Sequence, residues 1–370
     1  MKNDAAEFVS IMNTNTCTDS EFSFAVKPLP GEGMMEMFSR LALALKEAEA
    51  TMINLMIFGS ISAHPAADEA MRRVFGRMDW PVTWVEGGAG DDHPIAGIQA
   101  MAFSAGRVTP ITLNGRVAGA VFEEGGIRHC LLGGLGPGRR SASRPDQFRQ
   151  TLGNLEAALE QGGFSLGDVV RTWFHLDNLL SWYGAFNKAR TQAYSRIQFR
   201  TGSLPASTGV SGRNPAGTAL VAGAWAMQPL HASAQMAEVA SPLQCPAPAY
   251  GSSFSRAMEI SSRDGRRLLI SGTASIALGG QTLWQGNLRR QIDQAMEVIE
   301  AILTSRGFGF SDITRATAYF KNREDIPAFA AWCAERGLRS LPFIAAQCGI
   351  CRGDLLFELE ADAWNPTPGI

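Results

Sequence analysis

No stretch of the 370 residues approaches the roughly 18 to 20 consecutive apolar residues that span a bilayer, so no transmembrane helix is expected. The first residues do not resemble a secretory leader either. Asp4, Glu7, Asn13 and Asn15 interrupt any hydrophobic run, and no basic start precedes it. A cytoplasmic protein is the expectation. An excess of charge of one sign is also missing: the formal net charge is −2, which gives no global electrostatic case for nucleic acid or an anionic membrane surface. Any anionic ligand must then be captured by local arginines. Cysteine is scarce, with six in a chain that is 45% hydrophobic, so a disulfide framework is not expected and the thiols read as free.

What is present is an ordinary globular composition, long enough for two or three domains, and an internal repeat. Residues 155–177 read LEAALEQGGFSLGDVVRTWFHLD and residues 299–321 read IEAILTSRGFGFSDITRATAYFK. Gly163 falls in step with Gly307, Asp168 with Asp312 and Arg171 with Arg315, at one constant separation. Chance rarely keeps three such positions together, and repeats are the first thing to look for in a chain of this length.

The apolar spacing before each glycine is helical: Leu152, Leu155, Ala158 and Leu159 in one copy, Ile292, Met296, Ile299 and Leu303 in the other. Gly163 and Gly307 suit the left-handed residue that ends a helix. Val169–Leu176 and Ile313–Phe320 read as strands, and second helices follow over Trp182–Ser195 and Ile326–Arg336. Each copy closes with an expected Pro-led strand pair, Pro205–Val210 with Ala219–Met227 and Pro342–Ile350 with Leu355–Trp364. Each opens with a hairpin pattern, Thr109–Leu132 with turns at Asn114-Gly115 and Gly125-Gly126, and Ser253–Ile276 with a turn at Asp264-Gly265.

The first hundred residues repeat this order more faintly. Helices are expected over Met35–Ala48 and Ala66–Phe75, a strand over Met52–Phe58, and a strand pair over Trp80–Glu86 and Ile95–Phe103. The opening hairpin is reduced to Phe22–Pro28. The chain thus divides into a degenerate unit at 20–108, a second at 109–235 and a third at 245–370, with Pro242–Pro248 as a linker. A sheet with helices on one face leaves its other face apolar. Three such α+β units bury those faces by stacking around a pseudo-threefold axis, sheets inside and helices outside.

These residues resemble the Rid (reactive intermediate deaminase) superfamily of small chorismate-mutase-like α+β units, most clearly in LISGTASI (Leu269–Ile276), in Arg171–Arg190 and in CRGDLLFELEA (Cys351–Ala361). The resemblance implies trimer-like assembly with ligand clefts between units. A Rid imine hydrolase is expected to carry an arginine two residues after the strand-pair proline. This chain has Ser207, Ile344 and Thr83 there.

WYGAFNKAR (Trp182–Arg190), PASTG (Pro205–Gly209), AYGSSFSR (Ala249–Arg256), SGTAS (Ser271–Ser275) and CRGDLLFELE (Cys351–Glu360) are similar to the chorismatases, a fused branch that cleaves the enolpyruvyl ether of chorismate. That resemblance implies substrate contacts from Arg190 and Tyr250, with Ser207 and Ala274 in the same cleft. It also implies Glu358 as proton donor and Cys351 where the fate of the ring is decided. Where those enzymes tend to read YGPR, this chain reads Tyr250-Gly251-Ser252-Ser253, and Arg256 is the nearest guanidinium to take the arginine's place. The implied activity is release of pyruvate from chorismate or a related small carboxylate. The alternatives are a Rid-type imine or enamine hydrolase and a non-catalytic metabolite-binding protein.

The residues themselves leave several readings open. Glu358 lies in an otherwise apolar strand, which would raise its pKa toward that of a general acid, and Glu360 shares its face. The same pattern also fits two solvated glutamates on an exposed strand face. Arg190 follows Asn187 by one helical turn and is either a carboxylate clamp or a surface arginine. Cys348 and Cys351 form a lone CxxC without the further ligands that zinc needs, so Cys351 shapes the cleft, attacks a substrate or is an inert thiol. GGLGPG (Gly133–Gly138) does not open a helix as a dinucleotide loop must. Asp91-Asp92-His93 reads as a solvated turn. No metal or organic cofactor is implied. The expected partner is a small anionic metabolite bound by a monomer or weak homo-oligomer.

Overall fold

The computed structural model describes residues 9–15, 20–88, 93–104 and 106–366. Three mixed sheets, each backed by two helices, account for nearly all of it. In the third, β12 (Gln235–Val239), β13 (Ala257–Ser261) and β14 (Gly265–Ala274) form an antiparallel meander. Helix α5 (Leu288–Ser305) leads to β15 (Ile313–Phe320), helix α6 (Pro327–Glu335) to β16 (Phe343–Gln347), and β17 (Phe357–Pro366) inserts between β14 and β15. The second sheet repeats this order with β6 (Thr109–Leu113), β7 (Arg116–Glu124), β8 (Ile127–Leu135), α3 (Arg144–Gln161), β9 (Val169–Leu176), α4 (Tyr183–Tyr194), β10 (Ala206–Ser211) and β11 (Leu220–Pro229).

The first sheet has one strand fewer: β1 (Val9–Asn15), β2 (Ser20–Val26), β3 (Thr51–Gly59), β4 (Val82–Glu86) and β5 (Ile95–Ser104), with α1 (Met34–Glu47) and α2 (His64–Phe75). In all three sheets the penultimate strand runs parallel to the edge of the middle one, and the last strand is antiparallel beside it.

The repeated residues have repeated jobs. Gly163 (φ +75°) and Gly307 (φ +73°) take the left-handed conformation that ends α3 and α5, as expected. Asp168 accepts the Ser165 amide at 2.9 Å and Asp312 the Gly309 amide at 2.8 Å, capping the turn that starts the middle strand. Arg171 and Arg315 both reach Glu360, at 2.7 and 3.0 Å.

Three helix-facing cores lie under the helices, and a fourth is built from all three sheets at once. That arrangement is the expected pseudo-trimer with sheets inside and helices outside. Phe58, His175 and Tyr319, one from the middle strand of each sheet, meet at the centre, with Phe58 5.8 Å from the His175 ring and 5.9 Å from Tyr319. Arg267 of the third sheet joins Glu21 of the first (2.8 Å) and Glu124 of the second (3.1 Å) in a buried triad.

Three expectations need correction. The closing strand pairs are not paired, because β10 and β11 lie on opposite sides of β9, and β16 and β17 on opposite sides of β15; a sequence shows consecutive strands but not an insertion between them. The opening hairpin of the first sheet begins at Val9 and pairs along its length, well before Phe22. Finally, β12 already belongs to the third sheet, so Pro242–Pro248 is not a linker between units. It is part of the long β12–β13 loop. Residues 367–370 of the expected third unit, and Asp91 and Asp92 of the acidic turn, lie outside the described residues.

Candidate active site

The second and third sheets meet where β10 runs beside β14. Backbone and hydroxyl groups zip this seam: Ser255 N donates to Pro205 O (3.0 Å), Ser207 N to Ser271 Oγ (2.8 Å) and Gly272 N to Thr208 Oγ1 (3.1 Å). Over it folds the β12–β13 loop, whose 3-10 turn Ala247–Tyr250 carries Tyr250 and whose end carries Phe254 and Arg256. Helix α4 brings Tyr183, Phe186 and Arg190 from the second unit, and β17 brings Glu358 from below.

Together they enclose a small inner space of about 30 Å³, lined by Arg190, Ser207, Tyr250, Arg256, Ala274, Cys351 and Glu358 among others. Every residue that the sequence nominated therefore lies on one pocket. Tyr183, Tyr250 and Cys351 also line an outer recess of about 780 Å³, which α4 and Arg352 complete.

Two guanidinium groups dominate the inner space. Arg190 is 2% exposed and donates from Nη2 to Asn187 Oδ1 at 2.8 Å, while its Nε is buried with no partner. It lies 4.9 Å from the Phe186 ring centre and 5.7 Å from that of Phe254. Arg256 is 3% exposed and donates from Nε and Nη2 to the Cys245 carbonyl at 3.0 and 2.9 Å, against the rings of Tyr250 and Phe254. Among the described residues neither forms an ion pair with a carboxylate. Burying a cation without a counter-ion costs several kcal/mol, so two of them on one pocket make it electropositive.

The two glutamates of β17 are both buried, and their environments drive them apart. Burial, then the charge of Glu360, pushes the Glu358 carboxyl up to about 8, against the pull of Arg256 and Arg171. Burial would raise Glu360 too, but Arg315 and Arg171 beside it hold it down to about 2. Their surroundings thus drive two neighbouring carboxyl groups to opposite sides of neutral pH. Glu358 faces the pocket, whereas Glu360 lies in a dry network with Arg171, Arg315, Thr317 and Trp173 Nε1 (3.1 Å).

Gly272 makes room for the Glu358 carboxyl: a Cβ there would stand 2.0 Å from Glu358 Oε1 and 3.3 Å from Thr208 Cγ2. The sequence reading passed over this glycine. Its signal was a glycine inside the strand LISGTASI, which often marks a close approach. Phe254 had no comparable signal, whereas Tyr183 and Phe186 belong to a run of aromatic residues that reads as mostly core, with one or two able to wall a ring-shaped ligand, and both line the pocket.

Burial, then Glu358, pushes the Cys351 thiol up to about 12, which keeps it neutral. Burial raises Tyr250 as well and takes Tyr183 up to about 12. Ser207 presents a hydroxyl that accepts from Thr172 Oγ1 at 2.9 Å, and Ala274 pairs across the sheet with Glu358. Cys348 sits apart in the central core, with its thiol toward the Glu86 carbonyl. The GGLGPG segment ends β8 and opens no helix, and His93 is buried against Ile95.

Residues 246–363 match the family model described as Endoribonuclease L-PSP. A chorismatase of Streptomyces rapamycinicus is 32% identical over 118 residues, 29% of this chain and 35% of that protein. A chorismatase of Streptomyces hygroscopicus is 29% identical over 116 residues, 29% of this chain and 33% of that protein. A RutC family protein of Pyrococcus horikoshii is 29% identical over 102 residues, 27% of this chain and 81% of that protein. The matched segment thus spans about a third of the length of the two curated chorismatases. A chorismatase crystal structure superposes with a TM-score of 0.66 at 18% identity, over 94% of this chain and 100% of that one, so the shared fold is that of the whole chain. Residues 246–363 thus resemble the Endoribonuclease L-PSP family, and the fold over nearly the whole chain is similar to that of a chorismatase.

Proposed function

We propose that the seam between the second and third units cleaves the enolpyruvyl ether of chorismate, or of a closely related cyclic dicarboxylate, and releases pyruvate by general acid catalysis. One observation carries this reading. A buried carboxyl whose surroundings favour its neutral form and two buried guanidinium groups that lack a carboxylate partner among the described residues line the same pocket.

An enol ether breaks when its methylene carbon takes a proton, because the carbon next to the ether oxygen then becomes an oxocarbenium centre. Glu358, with its carboxyl pushed up to about 8, is mostly protonated at pH 7 and holds that proton inside the pocket. Arg190 and Arg256 each suit one substrate carboxylate, and a charge-assisted hydrogen bond of this kind is worth roughly 1.5–3 kcal/mol.

Two routes then balance. If water adds to the oxocarbenium carbon, the hemiketal collapses to pyruvate and a dihydroxy-cyclohexadiene carboxylate, consuming one water. If the ring instead loses a proton and rearranges to a hydroxybenzoate, pyruvate leaves with no water consumed. Cys351, a neutral thiol on the wall between inner and outer spaces, bears on that choice by shape rather than as a nucleophile. The inner space alone holds about one water. The substrate ring is therefore too large for the inner space and fits the outer recess, which shares Tyr183, Tyr250 and Cys351 with it.

The test is incubation with chorismate, with pyruvate read by coupled NADH oxidation and the ring product by chromatography. The expected result is stoichiometric pyruvate and a loss of about 10² to 10⁴ in kcat for Glu358→Gln. Absence of pyruvate, or unchanged turnover in that variant, removes the proposal. Quenching of 2-aminoacrylate without action on chorismate marks an imine hydrolase instead, and thermal stabilisation by chorismate without product marks a binder.

A further inference from the structure

The first and second units also meet at a cleft, and it is larger than the inner pocket described above: about 740 Å³, within the range of small-molecule sites. It is built in the same way. Helix α2 lines it with His64, Asp68 and Arg72, the first, fifth and ninth residues of a twelve-residue helix. Helix α4 lines the outer recess of the other cleft with Tyr183, Asn187 and Thr191, the same three places in a helix of the same length.

The chemistry inside differs. The place of Arg190 on α4 is taken on α2 by Met71. The place of Glu358, opposite Tyr319 at the centre of the molecule, is taken by Val221, opposite His175. Both Met71 and Val221 line this cleft, together with Trp80, Trp84 and Leu135. Its depth is therefore apolar where the other is charged, and neither Met71 nor Val221 can donate a proton.

Charge collects at the rim. Arg116 and Arg140 line the opening, both are exposed, and among the described residues neither forms an ion pair. The acid on this rim, Asp68, is paired with Arg72 at 2.8 Å. The wall beside Arg140 is the Gly136–Gly138 end of GGLGPG, a segment that has no part in the first cleft. Two glycines before it hold β8 close to β4: Gly134 has φ +67°, and a Cβ there would lie 2.5 Å from the Val82 carbonyl.

We propose that this cleft is a second, non-catalytic site for a small organic acid, with an apolar ring held against Trp80, Trp84 and Met71 and its carboxylate held by Arg116 and Arg140. Because Val221 replaces the acid, the ligand is bound and not broken down.

The experiment is titration calorimetry and ¹⁹F NMR with 4-fluorobenzoate on the full chain, wild type and Arg116→Glu/Arg140→Glu, with 4-fluorotoluene as the uncharged control. Both substitutions are at exposed positions, so the fold is expected to persist, and circular dichroism checks it. The first-cleft variant Arg190→Met is titrated alongside. 4-Fluorobenzoate is expected to bind the wild type and Arg190→Met alike at this cleft, to weaken by about tenfold or more in the double charge reversal, and to bind far better than 4-fluorotoluene. Binding abolished by Arg190→Met, binding unchanged by the charge reversal, equal binding of the toluene, or no binding of benzoate at millimolar concentration each overturns the assignment.

Discussion

Replacing Glu358 by glutamine should make the unliganded protein more stable while removing its proposed activity, and the size of the gain follows from the site. The carboxyl ordinarily titrates near 4.5, but in the folded chain burial and Glu360 push it up to about 8. Between those two values the folded protein holds a proton that the unfolded chain has released. Stability therefore falls as pH rises through that window, by about 1.4 kcal/mol per pH unit. The loss reaches about 3 kcal/mol at pH 7 and levels off near about 5 kcal/mol above pH 8. Below the unfolded value it is absent. Glutamine keeps the shape and remains neutral, so it escapes this loss entirely. Urea denaturation of wild type and Glu358→Gln at pH 4.5, 7 and 9 should show no difference, then an advantage for the variant of about 3 kcal/mol, then of about 5. All other titrating groups are common to the two proteins and cancel. Equal stability at all three pH values would mean that Glu358 is ionised like an ordinary carboxylate, and general acid catalysis by it would then be untenable.

Three further outcomes are expected. Gly272→Ala places a methyl group where Glu358 Oε1 now lies, at 2.0 Å; because the obstacle is the end of a flexible side chain, the variant should fold, with kcat falling and the melting temperature barely moving, and unaltered kcat would show that the carboxyl's place is immaterial. Arg190→Met removes a buried cation that has no carboxylate partner among the described residues, so the apo protein should gain stability in urea while KM for chorismate rises at least tenfold; lost stability would assign Arg190 a structural role. Burial, with a smaller push from Arg267, holds His129 down to about 3, and burial holds His175 down to about 4; both must be neutral in the folded state, so acid should weaken the protein as pH falls below about 6.5, by about 1.4 kcal/mol per unit for each. His175→Phe, which copies Phe58 on the neighbouring sheet, should flatten that limb; an unchanged pH slope would refute the assignment.

Much of this architecture was legible in the sequence because the repeat is carried by residues with local duties. Gly163 and Gly307 end helices, Asp168 and Asp312 cap turns, and the middle strands Val169–Leu176 and Ile313–Phe320 fall where their branched and aromatic content placed them. What escaped was non-local. Insertion of β11 between β8 and β9, and of β17 between β14 and β15, separates the strands that looked paired. β12 pairs with β13 across a long loop, and its five residues Gln-Met-Ala-Glu-Val carry little strand signal, so proline-rich Pro242–Pro248 looked like a boundary. The pocket residues were nominated through family resemblance, and spacing alone could not have brought Arg190 and Glu358 together. The opposite protonation of Glu358 and Glu360 also lay beyond the sequence, because Arg171 arrives from a different sheet.

That arrival explains what a fused chain permits and three identical subunits forbid. Arg171 and Arg315 occupy matching strand positions, and both reach Glu360, although Arg315 also pairs with Asp362 at 2.7 Å. The residue matching Glu360 in the second sheet is Gly223, opposite Trp173 as Glu360 is opposite Thr317. With identical units, a glutamate at each such place would bury three carboxylates near one axis. Another at each Glu358 place would add three neutral acids, each raising its neighbour's cost. Here a single ionised Glu360, held by arginines from two units, raises a single Glu358, while Val221 leaves the matching place in the neighbouring unit uncharged. The burden of one perturbed acid, about 3 kcal/mol at neutral pH, is comparable to a large fraction of a domain's net stability. Three such burdens, about 9 kcal/mol together, would consume most of a typical domain's net stability, so the energetics favour one perturbed acid among unlike seams.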